Sequence, residues 1–533
     1  MYFHLTWQKF AMMVFVCFVL YTSLAGTAQI RADRYGSTPA FASVGLALQE
    51  IWLHVRYAVE GSVLRGSQLA GAAFGFVNAE RTAANSNAKA IPVLTYHRIV
   101  DESGDLNNVT AARFRDQMLT LKRAGWETIT LREYLDFMNR RRELPERSFL
   151  ITFDDGAKES FYPVDPLFKM LGYEGVMYVI AQAPHIAEST YYLSEPEIKR
   201  MLATGRWEIG SHSYDGHRPY SSNAQGSSAI FFADKLWIES AGRLESEAEF
   251  TKRVQEDLIR ARSELESTYG VKIDTFAFPL GNETGVEGAA NFPAGASITE
   301  REAAKIYTVG FLQNNNQTYT FNHPISRSFI ARRIHVDYDW SGERLLEEME
   351  NGLPKNLPYE DDFSRDRGWL AAWGTLDLGR NNLSLQADRN ASSASAFLDG
   401  SALWKDYSFD ASARWTNGSV FLLANLVDSK TYDSCAFSEG SVRIQSMVAG
   451  NTKTLAEKRD SRVARGNDVR IGIRVHDAVI ECTWNYESIL EAYDTERIGG
   501  IGVQIWNPEI GTAALQVSNI LVRPYAASST NPS

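Results

Sequence analysis

Cysteine is scarce, with three in 533 residues. Cys17 lies in the N-terminal apolar run, which leaves Cys435 and Cys482 and no CxxC pair. A cysteine-built zinc site or a disulfide scaffold is thereby excluded, and any metal must be held by His and carboxylate. A basic excess is also missing. The chain has 54 Lys and Arg against 65 Asp and Glu, a formal charge of −11. Nucleic-acid binders need a basic footprint to meet phosphates, so that class is excluded. The same charge favours a neutral or cationic polymer over an anionic one as a partner. What remains is globular in character: 44% hydrophobic, 22% charged and long enough for two or three domains.

The first 29 residues depart from that character. Lys9 precedes an apolar run from Phe10 to Gly26, with small residues at Ala25, Gly26, Thr27 and Ala28. This is the layout of a signal peptide, and the run is also nearly long enough for an uncleaved signal anchor. Either reading exports the chain to the periplasm or the extracellular space, the second with membrane attachment. Residues 30–90 read as a loosely helical segment ending in the polar linker RTAANSNAK.

From residue 91 to about 356, short apolar runs alternate with amphipathic stretches. IPVLTYH (91–97), SFLITFDD (148–155), GVMYVIA (175–181), WEIGSH (207–212), TFAFP (275–279) and FIARRIHV (329–336) read as buried strands. Ala111–Ala124, Leu131–Arg141 and Glu245–Tyr269 carry helical periodicity. Such alternation predicts a parallel sheet covered by helices, open or closed into a barrel. His97, Asp154, Asp155 and His212 all fall at the C-terminal ends of these strands, where active sites of such folds assemble. After Leu357 the helical pattern stops. Alternating runs such as SVFLLANL (419–426), SVRIQSMV (441–448) and GIGVQIW (500–506) predict an antiparallel β-sandwich over 357–526, followed by a short tail, 527–533. Cys435 and Cys482 both lie there, and one bridge between them is open to two cysteines in an oxidising compartment.

Two motifs carry chemistry. Thr152-Phe153-Asp154-Asp155-Gly156 ends an apolar strand, and its glycine lets the chain turn so that both carboxylates reach one site. One can bind a cation while the other takes a proton. The competing reading is an Asp pair capping a helix that starts near Ala157. Ser211-His212-Ser213-Tyr214-Asp215-Gly216-His217 follows a second strand. Two histidines five apart in a turn can converge on one cation with an Asp, a ligand set suited to Zn²⁺ with an open position. Taken alone, two unrelated surface histidines fit as well.

TFDDG, then SHxxxxH, then Phe278-Pro279-Leu280-Gly281, resembles the polysaccharide deacetylases of the NodB-homology type, carbohydrate esterase family 4. VLTYH (93–97) and the histidine spacing look most like the branch acting on poly-N-acetylglucosamine exopolysaccharide. The resemblance covers about half the chain. It implies a distorted (β/α) barrel, with Asp154 as general base and Asp155, His212 and His217 as ligands of Zn²⁺, Co²⁺ or Ni²⁺. It also implies an oxyanion-holding backbone N–H near Leu280, after Pro279. The reaction implied is metal-dependent removal of N-acetyl groups from an exported N-acetylhexosamine polysaccharide.

The chain departs from the family pattern twice. Much of the family has an Arg in place of Ala277, and that Arg orients the base. The usual late acid His is also not evident. His97 is the favoured replacement, with His335 as the rival. The long segment 218–245 carries Tyr220, Phe231, Phe232 and Trp237, either as a sugar-stacking loop or as a hairpin packed on the barrel. The sandwich is similar to concanavalin-like domains found beside carbohydrate enzymes. Trp404, Trp415, Trp484, Tyr486 and Trp506 are either a sugar platform or core. The alternative functions are a peptidoglycan or chitin-type deacetylase, an O-acetyl esterase and a non-catalytic glycan-binding scaffold.

Overall fold

Strands buried on both faces read as unbroken apolar runs, and a parallel sheet closed on itself buries them so. A computed structural model describes residues 87–102, 105–186, 189–281, 291–313, 319–324, 328–379, 381–466 and 468–525. The signal or anchor segment, nearly all of the 30–90 segment and the 527–533 tail lie outside these residues. Two compact units divide the chain. One runs to Gln313 and resumes at Asn322–Leu346; the other takes Asn314–Phe321 and the residues from Glu347.

The first unit is a parallel barrel. Its strands are β1 (Val93–Tyr96), β2 (Glu127–Thr128), β3 (Ser148–Phe153), β4 (Gly175–Val179), β5 (Trp207–Ser211), β6 (Thr275–Ala277), β7 (Val309–Gln313) and β8 (Ile330–His335). They pair in the order β1-β8-β7-β6-β5-β4-β3-β2, and β1 also pairs with β3, which closes a seven-stranded ring. All six strands expected in this region are present. β7 is an addition: a five-residue run that Gly310 opens for the rings of Phe278 and Phe329, either of which a Cβ there would meet within 2.7 Å. Closure follows from register, because Thr95 sits opposite both Thr152 of β3 and His335 of β8. The ends of β1, β3 and β8 therefore lie side by side. Val93, Leu150, Val176, Tyr178, Ala277, Phe311 and Ala331 belong to one buried cluster.

Helices cover the ring. The longest, α1 (Glu247–Tyr269), starts on a reciprocal Ser246–Glu249 capping box and stops at Gly270, whose φ of +68° is left-handed. It buries Phe250, Val254, Leu258, Ala261 and Leu265 at helical spacing. The segment 218–245 forms two short hairpins, Tyr220–Ser221 with Ser228–Ala229 and Trp237–Ile238 with Arg243–Leu244. Phe231 and Phe232 are buried and press on Gly216, where a Cβ would stand 2.6 Å from the Phe232 ring. For these two rings the packed hairpin is the correct reading; Tyr220 and Trp237 are half-buried.

The second unit is built of two antiparallel sheets, of eight and seven strands. Inward residues such as Val420, Leu422, Ile471, Ile473, Ile501 and Val503 form one core between them. Cys435, on Thr431–Ser438, is bridged to Cys482, on Val479–Trp484, and these strands belong to different sheets. The disulfide pins the two sheets together. Trp404, Trp415 and Trp484 are buried core, whereas Tyr486 and Trp506 are exposed. Among the described residues no helix is long and apolar enough to cross a membrane.

Candidate active site

Strand β3 delivers Asp154 and Asp155 at the C-terminal rim of the barrel, where the Asp154 N–H donates to Tyr96 O at 3.1 Å. The chain then turns on two successive left-handed residues, Asp155 at φ +72° and Gly156 at φ +74°. Asp tolerates that region better than most side chains, and Gly meets no penalty there. The following helix, Lys158–Phe161, has Ala157 at its N-cap and no side-chain capping bond. The Asp pair is therefore not a helix cap. Two other non-glycine residues at this rim are also left-handed: Ser213 at φ +75° and Leu280 at φ +62°. Such conformations cost roughly 1–3 kcal/mol each and cluster where function needs them.

Strand β5 delivers the histidines. His212 directs Nδ1 at Ala277 O, 2.8 Å away, so that nitrogen carries the proton and Nε2 is left with a lone pair. That lone pair faces Asp155 Oδ1 at 3.5 Å, and His217 Nε2 faces the same oxygen at 3.3 Å. A carboxylate oxygen meeting a ring lone pair is repulsive unless a cation lies among them. Asp155 Oδ1 is buried without a hydrogen-bond partner. Asp155 Oδ2 accepts from the Tyr191 hydroxyl at 3.2 Å, which turns Oδ1 toward the histidines. Among the described residues, Asp155, His212 and His217 are the one group whose ligand atoms lie close enough to hold a cation, all within 4.8 Å of one another. The orphaned oxygen and the His/His/Asp donor set fit a divalent metal.

Asp154 has a different partner. Arg333, on β8 and fully buried, donates Nη1 to Asp154 Oδ1 at 2.6 Å and Nη2 to Oδ2 at 2.7 Å. Burial would raise the Asp154 carboxyl, but the Arg333 guanidinium, with His212 and His97 adding to it, holds it below the usual range. Burial likewise opposes ionisation of Asp155, and the neighbouring His212 and His217 pull it well down. His212 is raised by the Asp154 and Asp155 carboxylates against burial, whereas burial and then His212 lower His217.

His97 follows β1, and His335 ends β8; their rings stand 5.7 Å apart, edge to face. Both Nδ1 atoms are buried without a partner. Leu280 follows Pro279 in a single tight turn after β6 and is half exposed. It lies three residues beyond Ala277, whose carbonyl holds His212. The sequence reading overlooked two members of this constellation, Arg333 and Tyr191. Arg333 carried a signal: an Arg inside a buried strand must find an anion. Tyr191 sits in a loop and carried none.

Residues 141–288 match the family model of the polysaccharide deacetylases. The chain carries a polysaccharide deacetylase domain. The poly-beta-1,6-N-acetyl-D-glucosamine N-deacetylase of Escherichia coli K12 is 18% identical over 309 residues, which are 53% of this chain and 46% of that protein. The enzyme of the same name from Staphylococcus aureus MRSA252 is 28% identical over 149 residues, 24% of this chain and 50% of that one. The chain thus spans about half the length of these relatives. A solved de-N-acetylase from Aggregatibacter actinomycetemcomitans aligns with 19% identity and a TM-score of 0.42, covering 49% of this chain and 99% of that one. The deacetylase domain therefore contains the aspartate pair and both histidines, while β1 and β8, with His97 and Arg333, flank the matched residues.

Proposed function

We propose that the protein removes N-acetyl groups from an N-acetylhexosamine polysaccharide by metal-dependent hydrolysis. One observation carries this reading: Asp155, His212 and His217 converge beside an Asp154 held in place by Arg333. The reading makes Asp155, His212 and His217 the ligands of a divalent cation, with Zn²⁺ the first choice for this donor set and Co²⁺ or Ni²⁺ as substitutes. When bound, the cation supplies Lewis acidity for the acetamide carbonyl. Asp154, kept ionised by Arg333, takes the proton of the attacking water. The backbone N–H of Leu280, after Pro279, donates to the developing oxyanion. His97 returns a proton to the leaving amine. What favours it over His335 is that burial, with His97 and Arg333 adding to it, pushes His335 down to about 4. A His335 in that state has no proton to give near neutral pH.

Ala277 no longer argues for a non-catalytic scaffold, because a guanidinium reaches the base from β8 instead. The names of the relatives support poly-β-1,6-N-acetylglucosamine as the polymer. The apolar Phe10–Gly26 run supports export, with or without retention at a membrane. The exposed Tyr486 and Trp506 keep a glycan-binding role open for the sandwich. The test is acetate release from defined N- and O-acetylated glucosamine oligomers, before and after chelation and Zn²⁺ return. Absence of chelator-sensitive acetate release from every N-acetylated oligomer would remove this reading.

A further inference from the structure

The turn from His212 to His217 must bring two imidazoles onto one point, and a free turn of that length samples many geometries. Its first half is tied to the barrel. His212 N–H donates to Val179 O at 2.9 Å, Ser213 O accepts from Ala181 N at 2.9 Å, and Tyr214 O accepts from Gln182 N at 3.2 Å. The backbone N–H groups of Tyr214 and Asp215 point the other way, toward α1. There the Asp257 carboxylate accepts both, Oδ1 from Tyr214 at 3.0 Å and Oδ2 from Asp215 at 2.9 Å. One turn further along the same helix, the Arg260 guanidinium lies 3.7 Å over the Tyr214 ring.

An Asp in the middle of a 23-residue helix, on its buried face, is poor for the helix itself. It is 7% exposed, and burial pushes its carboxyl up to about 6 against the pull of the two N–H groups. Neither helix propensity nor core packing calls for a carboxylate there. The two N–H bonds do.

We propose that Asp257, seconded by Arg260, is a positioning residue that holds the His212–His217 turn in the shape that lets both imidazoles meet one divalent cation. The proposal rests on the metal-centre reading of Asp155, His212 and His217. Asp257 touches no reacting atom; it acts through the turn. Outer partners of this kind change metal affinity by about 10- to 100-fold when removed.

The test uses the full-length protein freed of metal. Zn²⁺ affinity is measured by competition with a chromophoric chelator, the Co²⁺ visible spectrum reports ligand geometry, and thermal unfolding of the metal-free protein reports the fold. Asp257→Asn presents only one acceptor oxygen to two N–H groups. The expected result is Zn²⁺ binding weaker by about 10- to 100-fold and an altered Co²⁺ spectrum. Asp257→Glu, which keeps both oxygens on a longer arm, should recover part of that loss. A fall in thermal stability with unchanged Zn²⁺ affinity and Co²⁺ spectrum makes Asp257 a structural residue only and overturns the proposal. Should Asp257→Asn not fold, the exposed Arg260→Gln decides: Zn²⁺ binding weaker by about 2- to 5-fold supports the clamp, and wild-type affinity overturns it. Wild-type protein that takes up neither Zn²⁺ nor Co²⁺ removes the metal-centre reading, and the proposal with it.

Discussion

Arg333 and Asp154 meet as a buried two-pronged ion pair inside the barrel, with N···O distances of 2.6 and 2.7 Å. The two residues are 179 apart in sequence and become neighbours because β1 pairs with both β3 and β8. The fork fixes the carboxylate in a plane and keeps it ionised.

Arg333→Met should leave Asp154 as an uncompensated buried charge. Removing one partner of such a pair costs about 3–5 kcal/mol of stability. Since Arg333 holds the Asp154 carboxyl down, its loss should raise that carboxyl. The acid limb of the kcat profile should then move to higher pH. Arg333→Lys keeps the charge but not the fork, and should fall between wild type and Arg333→Met in both respects. Urea unfolding and pH–rate profiles of the three proteins read this directly; coincident acid limbs would separate Arg333 from the base.

The reach and the limits of the sequence show in the same region. SFLITF was legible as a strand because all six residues are buried, so the run has no polar interruption before Asp154. FIARRIHV was legible as a strand too, yet its Arg333 was not assigned, because pairing across a closed ring is a property of register rather than of local pattern. Val309–Gln313 escaped because its apolar run is short and passes straight into the polar Asn314–Gln317. In the sandwich, Asn451–Arg459 is a polar edge strand exposed along most of its length, so no alternation marked it. The His212–His217 spacing was legible, but not the carboxylate on α1 that braces it.

Asp154→Asn and Asp155→Asn should separate catalysis from metal binding. The amide of Asp154→Asn cannot accept a proton, and loss of a general base costs about 10²- to 10⁴-fold in rate. Metal content should survive, since Asp155, His212 and His217 remain. Asp155→Asn should lose metal and turnover together. Metal analysis paired with acetate release decides between them, and an empty site in Asp154→Asn would exchange the two roles.

The Cys435–Cys482 bridge joins strands of opposite sheets 47 residues apart in sequence. Closing a loop of that length restricts the unfolded chain by about 4 kcal/mol. The double Cys→Ser variant should therefore unfold at a lower urea concentration without loss of deacetylase activity. Titration of denatured, unreduced protein that finds both thiols free would remove the bridge.

His335 makes acid stability a test of the rim. Its folded value is lowered from 6.5 to about 4, by burial first and then by the charges of His97 and Arg333. Between those values the unfolded chain binds a proton that the folded chain refuses, so stability rises with pH across the window. The His335 contribution is complete above about pH 6.5 and is lost as pH falls toward 4. It amounts to about 3 kcal/mol at most, an upper bound for a ring that retains some solvent contact. His335→Gln cannot take up that proton, so its unfolding free energy should decline less steeply than that of the wild type from pH 6.5 to 4. Because His97 and not His335 is the proposed acid, the same variant should keep most of its kcat near neutral pH, whereas His97→Gln should lose about 10²-fold or more. A His335→Gln protein as inactive as His97→Gln would move the acid role to His335, and parallel stability curves for His335→Gln and wild type would show that the ring protonates freely in the fold.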